Sequence, residues 1–151
     1  MGEWTDGCHD PPPALAETRA DFLALGVKDR LTLLLDFSNE LPELPERYRD
    51  HPDLLERVVE CQSPVYIFIE VDDSGLVHLH ATAPAESPTT RGFASILAQG
   101  LDGLAPDEVM AIPDDYPQSL GLGEAVSPLR VRGMSGMLAR AKRQLAERMA
   151  A

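Results

Sequence analysis

One cysteine, Cys61, lies in a short polar segment between two runs of apolar, β-prone residues. The sequence over residues 58–66 reads VVECQSPVY, so Glu60 precedes the thiol while Gln62 and Ser63 follow it. A thiolate is a nucleophile, and a cysteine on a loop anchored by buried strands can be presented to another protein. We therefore take Cys61 as the candidate reactive residue and its three neighbours as the loop that shapes it. The alternative is a small buried hydrophobic residue.

Two histidines could act together with the thiol of Cys61. His78 and His80 share one face of a predicted strand. With Cys61 they could form a zinc site, or one of them could be the general base of a Cys-His hydrolase. The alternative is two half-exposed residues of a hairpin. Cys8, followed by His9, lies in a Pro-rich terminal segment, where a free thiol is more often incidental than catalytic.

The composition limits the classes of function. A chain of 151 residues with 44% hydrophobic and 25% charged residues is typical of one globular domain. The net charge of −12 argues against binding a phosphate backbone, so no nucleic acid partner is expected. No apolar run is long enough to span a membrane. The acidic N-terminal segment lacks the basic and apolar regions of a signal peptide, and we expect a cytoplasmic protein whose cysteines stay reduced.

The elements that must position Cys61 can be read from periodicity. Residues 1–13 end in three prolines and predict a mobile tail, followed by a single domain over residues 14–151. Two helices come first, then a hairpin formed by 65–71 and 75–81, then a helix that starts at Ser87-Pro88. A long terminal helix is rich in basic residues. This order predicts an α+β fold, a small antiparallel sheet of about three strands with helices packed on one face.

Several motifs occur in order along the chain, and together they are specific. They are Leu41-Pro42-Glu43-Leu44, then Cys61-Gln62-Ser63 with Val65 and an aromatic residue, then Arg91-Gly92, then residues 104–109 (LAPDEV), and finally Pro128, Arg130 and Gly133-Met134. From about Ala14 to its end, the chain resembles the SufE family of cysteine desulfuration proteins, the sulfur acceptors of iron–sulfur cluster assembly. It departs from the family pattern at Glu60, where glycine is usual, and at Tyr66, where tryptophan is usual.

The resemblance implies a sulfur relay. Cys61 would take sulfur as a persulfide from a separate cysteine desulfurase, which depends on pyridoxal phosphate, and would pass it to an iron–sulfur scaffold. The chain would be an accessory protein and not an enzyme. It has no lysine in a cofactor-binding context and no Gly-rich phosphate loop, so the pyridoxal phosphate is expected on the partner and no cofactor on this chain.

Two further residues match positions that the family links to its partner. Arg130 matches an arginine near the start of the last helix, where it could favour a thiolate or bind the partner; the alternative is an ordinary exposed arginine. Glu86 falls where the family often has an acid before the third long helix, and a plain interaction with the helix dipole explains it equally well. Two other functions stay open: a partner-binding module whose thiol is idle because of Glu60, and the Cys-His hydrolase.

Overall fold

The computed structural model describes residues 11–150, apart from the side chain of Pro52. The helices and strands follow in chain order: α1 Pro13–Leu23, α2 Val27–Asn39, α3 Glu46–Arg49, a 3-10 turn Pro52–Leu54, β1 Glu56–Arg57, β2 Tyr66–Val71, β3 Val77–Thr82, α4 Pro88–Leu101, α5 Pro106–Met110, α6 Tyr116–Ser119 and α7 Pro128–Ala150. The strands form one antiparallel sheet in the order β1-β2-β3, which confirms the predicted α+β class.

The hairpin between β2 and β3 forms as its turn chemistry predicts. Gly75 has a φ of +84°, a left-handed conformation that costs glycine little. The Asp72 carboxylate accepts hydrogen bonds from the backbone N–H groups of Ser74 and Leu76 at 2.9 and 3.0 Å. These contacts fix the register in which Ile69 lies opposite Leu79.

The core lies between the sheet and two helices. Side chains on one face of β2 and β3 are buried: Ile67, Ile69, Val77, Leu79 and Ala81. This alternation is the predicted one, and the buried face packs against α4 and α7. Helix α2 packs on α4, so α4 is buried on nearly all sides. At Gly92 of α4, a Cβ atom would stand 2.3 Å from the Leu34 carbonyl oxygen, so the α2–α4 contact requires glycine there.

Some boundaries differ from the predicted ones. Of the predicted tail, residues 1–10, including Cys8, lie outside the described residues; Pro11 and Pro12 are buried and Pro13 begins α1, so the tail does not extend to residue 13. Helix α4 ends at Leu101, and the Leu104 carbonyl beyond it accepts a hydrogen bond from Val77 N–H at 2.8 Å. No helix within residues 11–150 is long and apolar enough to cross a bilayer.

Candidate functional site

Cys61 lies in the loop between β1 and β2, and its side chain is turned inward. We call residues 58–65 the thiol loop. Only 5% of Cys61 is exposed, and its N–H donates to the Val58 carbonyl at 3.0 Å. Val58 N–H donates in turn to the Val65 carbonyl at 2.8 Å, and both valines are fully buried. Val59, between the buried Val58 and Cys61, is 65% exposed and does not cover the thiol.

Helix α7 meets the thiol loop through two glycines on one helical face. A Cβ atom at Gly133 would stand 3.0 Å from Cys61 Sγ, tighter than an ordinary contact. At Gly136, one turn further, it would stand 2.7 Å from the Glu60 side chain. Glycine inside a helix costs roughly 1 kcal/mol relative to alanine. These two positions therefore lose helix stability, and in exchange Glu60 and Cys61 approach the α7 backbone closely.

A small cavity lies beside the sulfur. Its volume is about 40 Å³, enough for a water-sized group. The lining residues come from the thiol loop, from the first turn of α4 and from the start of α7: Cys61, Gln62, Ser63, Thr90, Leu129, Arg130 and Gly133. Three segments far apart in sequence thus enclose the candidate reactive atom together with Gln62, Ser63 and Arg130, three of the residues predicted to accompany it. We call this space the thiol cavity.

The electrostatic surroundings keep the thiol neutral. Burial raises the pKa of Cys61, the Glu60 carboxylate raises it further, and Arg140 acts in the opposite direction; the net value is about 11. A thiolate is the nucleophilic form of cysteine. With the thiol loop in this position, Cys61 is therefore protonated and unreactive near pH 7.

Glu60 is partly buried and is held by an ion pair with α7. Arg140 donates from Nε to Glu60 Oε1 at 2.8 Å and from a terminal nitrogen to Glu60 Oε2 at 3.2 Å. The same guanidinium donates to Glu56 Oε2 at 2.5 Å, and Glu56 also accepts from Arg143 and Gln144. Hydrogen bonding from Arg140 lowers the pKa of Glu60, although burial partly opposes this. Glu60 is therefore an anchored carboxylate at neutral pH.

The other predicted residues occupy distinct places. Ser63 forms a hydrogen bond with the Ser87 hydroxyl, which ties the thiol loop to the start of α4. Gln62 is exposed at the mouth of the cavity. Arg130 is also exposed and donates to Thr89 Oγ1 at 3.2 Å. Glu86 is exposed just before α4 and does not line the cavity.

Neither strand histidine lies at the thiol cavity. His78 pairs through its two ring nitrogens with Asp102 at 2.7 Å and Asp72 at 2.8 Å, and these contacts raise its pKa. His80 pairs with Glu70 at 2.7 Å. Within residues 11–150, no group of three or more His, Cys, Asp or Glu side chains is arranged to hold a metal ion. The geometry therefore gives Cys61 no histidine base from this hairpin.

Sequence reasoning missed the contacts made by Gly136, Arg140 and Thr90. Gly133 and Gly136 did carry a signal, because two glycines three residues apart in a long helix indicate a close approach on one face. Arg140 lies one further turn along that face. Three of the basic residues of α7 are engaged within the chain: Arg140 and Arg143 bind the acids named above, and Lys142 binds Asp114 at 2.8 Å.

Comparison with known proteins finds relatives that match most of this chain. The family model SufE, described as an Fe-S metabolism associated domain, matches residues 16–145. A SufE-like protein of Mycobacterium tuberculosis is 51% identical over 136 residues, which cover 90% of this chain and 94% of that protein. The chloroplastic/mitochondrial SufE-like protein 1 of Arabidopsis thaliana is 28% identical over 84% of this chain and 33% of its own length.

A solved structure gives the same result for the fold. The solution structure of a hypothetical protein from Thermus thermophilus has a TM-score of 0.81 and 33% sequence identity, and the match covers 93% of this chain and 99% of that one. The family match spans nearly all of the described elements, including the thiol loop and the glycine face of α7. The chain therefore belongs to the SufE family, a family of iron–sulfur metabolism.

Proposed function

We propose that this protein accepts sulfur on Cys61 as a persulfide from a cysteine desulfurase and later yields it to an iron–sulfur assembly scaffold. The observation that carries this proposal is the position of Cys61: the one thiol within residues 11–150, beside a cavity of about 40 Å³, in a loop that a partner could displace. Membership of a family of iron–sulfur metabolism supports it. The pyridoxal phosphate that releases sulfur from cysteine belongs to the desulfurase.

The transfer is a thiol–disulfide type exchange and needs no external oxidant or reductant. The Cys61 thiolate attacks the outer sulfur of the persulfide held on the desulfurase cysteine. A new S–S bond forms on Cys61, and the S–S bond of the partner breaks. The electron pair leaves with the partner's cysteine sulfur, which takes up the proton that Cys61 has lost. The net change moves one sulfur atom between two cysteines.

The closed thiol loop has two consequences for this reaction. With its pKa near 11, the covered thiol does not attack, so docking must uncover Cys61 and bring it to a setting that favours the thiolate. After transfer, the thiol cavity has room for a small additional group beside Sγ, and Gln62, Ser63 and Arg130 provide polar contacts there. The exposed Arg130 guanidinium is suited to balance the charge of a persulfide anion.

The two rival functions differ in what they require. A Cys-His hydrolase requires a base within hydrogen-bond reach of Cys61, whereas His78 and His80 are paired with carboxylates of the hairpin and of Asp102. A partner-binding module with an idle thiol requires only that Glu60 suppress the thiolate permanently. The relay requires that the suppression be relieved on docking.

Intact-mass spectrometry tests the proposal. The protein is incubated with a cysteine desulfurase, pyridoxal phosphate and cysteine, and wild type is compared with Cys61→Ser and Cys8→Ser. We expect a gain of about 32 Da, one sulfur atom, on wild type and Cys8→Ser and none on Cys61→Ser, because only Cys61 takes part in the exchange. A desulfurase that binds the protein but leaves every variant without the adduct would support the idle module.

A further inference from the structure

The carboxylate next to the thiol is clamped to the last helix. Both Glu60 oxygens accept hydrogen bonds from the Arg140 guanidinium, at 2.8 and 3.2 Å. The Arg140 and Glu60 side chains are only 22% and 34% exposed. A two-point contact in a partly buried setting is stronger than an ordinary surface ion pair. Arg140 is itself fixed by Glu56, so it does not swing freely with the loop.

Helix α7 is shaped to receive this carboxylate. A Cβ atom at Gly136 would approach Glu60 Cγ and Cδ to 2.7 Å and Cβ to 2.8 Å. Any side chain at position 136 would therefore push Glu60 out of the place where it meets Arg140. The absence of a side chain at Gly136 and the guanidinium at Arg140, one turn apart on the same face, together make a seat for Glu60.

The seat lies where it controls access to the sulfur. Glu60 is covalently adjacent to Cys61, so a movement that carries the thiol away from the face of α7 also pulls on the contact between Glu60 and Arg140. At the other end of the thiol loop, Ser63 is joined to Ser87 by a hydroxyl contact. A neutral hydroxyl pair contributes less than a charge-assisted one. Of these two side-chain attachments of the thiol loop, the ion pair is therefore the stronger.

We propose that Glu60 and Arg140, seated against Gly136, are positioning residues that form an electrostatic latch, and that the latch sets how often the thiol loop opens. Opening exposes Cys61 to any reagent, so it can be measured without a desulfurase. The extension of the latch to the rate of sulfur acceptance rests on the function proposed above.

The first test measures alkylation of Cys61 by iodoacetamide at pH 8 in a Cys8→Ser background. Arg140 lowers the Cys61 pKa, so removing it would slow alkylation if electrostatics alone mattered. The latch requires the opposite: Arg140→Gln frees the loop and accelerates alkylation by about threefold to tenfold, the effect of losing a partly buried ion pair. Arg140→Lys keeps the charge but not the two-point contact, so its alkylation rate should lie between those of wild type and Arg140→Gln.

A matched control comes from the same helix. Arg143 has the same charge, binds Glu56 and Glu147 and makes no contact with Glu60. Arg143→Gln should change the alkylation rate by less than about twofold. An equal acceleration in Arg143→Gln and Arg140→Gln would contradict the latch, because it would reflect a general loosening of α7.

The second test uses the seat itself. Gly136→Ala should accelerate alkylation in the wild-type background, because its methyl group displaces the Glu60 side chain. In a Glu60→Gly background it should have no further effect, because there is no side chain left to displace. Equal acceleration by Gly136→Ala in both backgrounds would refute the latch, and so would no acceleration in either.

Amide exchange gives a readout that does not depend on the thiol pKa. The Cys61 N–H is bonded to the Val58 carbonyl in the closed loop, so its hydrogen exchange reports opening. Glu60→Gln, which keeps the shape of the side chain, should raise that exchange rate by a similar threefold to tenfold if the latch holds. Unchanged exchange in this variant would refute the latch but not the formation of a persulfide on Cys61. A missing mass adduct would contradict the proposed function but not the latch.

Discussion

The negative charge of Glu60 disfavours the thiolate form of its neighbour Cys61. This chain nevertheless keeps the two together in a partly buried place. The Arg140 guanidinium reduces this conflict, because it binds the carboxylate and lowers the pKa of the thiol at the same time. At the scale of residues, the reactivity of Cys61 is therefore decided first by its burial and then by the placement of Glu60 and Arg140.

The pH dependence of alkylation should show the covered thiol directly. Because burial and Glu60 raise the pKa of Cys61 to about 11, the alkylation rate of a Cys8→Ser protein should still rise about tenfold per pH unit between pH 8 and 10. The measurement is the rate of iodoacetamide incorporation by mass spectrometry. A peptide with a free cysteine serves as the control. Its alkylation rate should level off above pH ~8.5, near the ordinary pKa of cysteine. A plateau of the protein at that same pH would contradict the structure.

At the scale of elements, α7 serves both the sheet and the site. Its Gly133–Arg140 face receives the thiol loop, and one turn later Gln144 reaches the backbone of β2. Strand β1 has only two residues and does not extend to Ile69. The Ile69 N–H therefore donates to Gln144 Oε1 at 2.8 Å, and the side-chain amide takes the place of a strand neighbour.

Replacing Gln144 with leucine tests this role. Gln144 is 7% exposed, so Gln144→Leu would leave the buried Ile69 N–H without an acceptor and Glu56 without one of its donors. We expect the free energy of unfolding to fall by about 1–3 kcal/mol, measured by urea denaturation. Gln118→Leu is the control: the Gln118 side chain is exposed and, within residues 11–150, hydrogen-bonds only to Ser135, so a change within about 0.5 kcal/mol is expected. Equal losses in both variants would contradict the role of Gln144.

At the scale of the whole molecule, three basic residues of α7 bind carboxylates of an acidic chain. The net charge is −12, and Arg140, Lys142 and Arg143 each bind carboxylates of other segments or of their own helix. Burial raises the pKa of Glu56, but hydrogen bonds from Arg143, Gln144 and Arg140 outweigh it and lower the net value. Much of the positive charge thus joins elements together.

This network predicts a dependence of stability on acid. Because the pKa of Glu56 is lowered in the folded protein, its stabilising effect is present above the ordinary value of 4.5 and is lost as the pH falls through the lower folded value. The difference in free energy of unfolding between wild type and Glu56→Gln should be largest near pH 6–7 and should shrink between pH 4.5 and pH 3. Urea denaturation at several pH values measures it. A difference that does not vary with pH would rule out an ionic role for Glu56.

Local chemistry explains which features could be predicted from sequence. The hairpin was predictable because alternation and the Asp72–Gly75 turn act within ten residues, and the position of Cys61 in a loop followed from its polar neighbours. The ion pair between Glu60 and Arg140 could not be predicted from the sequence. Arg140 is 80 positions away, and the pairing depends on which face of α7 turns inward. The exposure of Val59 beside the buried Val58 depends likewise on loop geometry rather than on residue type.

The closed thiol loop also affects how fast Cys61 is oxidised while no partner is bound. Oxidation of cysteine to sulfenic and higher acids begins, as alkylation does, from an accessible thiolate. Because Cys61 is only 5% exposed and its thiol is protonated, it reacts slowly with peroxides, as it does with other electrophiles. The closed loop therefore protects Cys61 from oxidation. Irreversible oxidation of Cys61 is expected mainly while the loop is open.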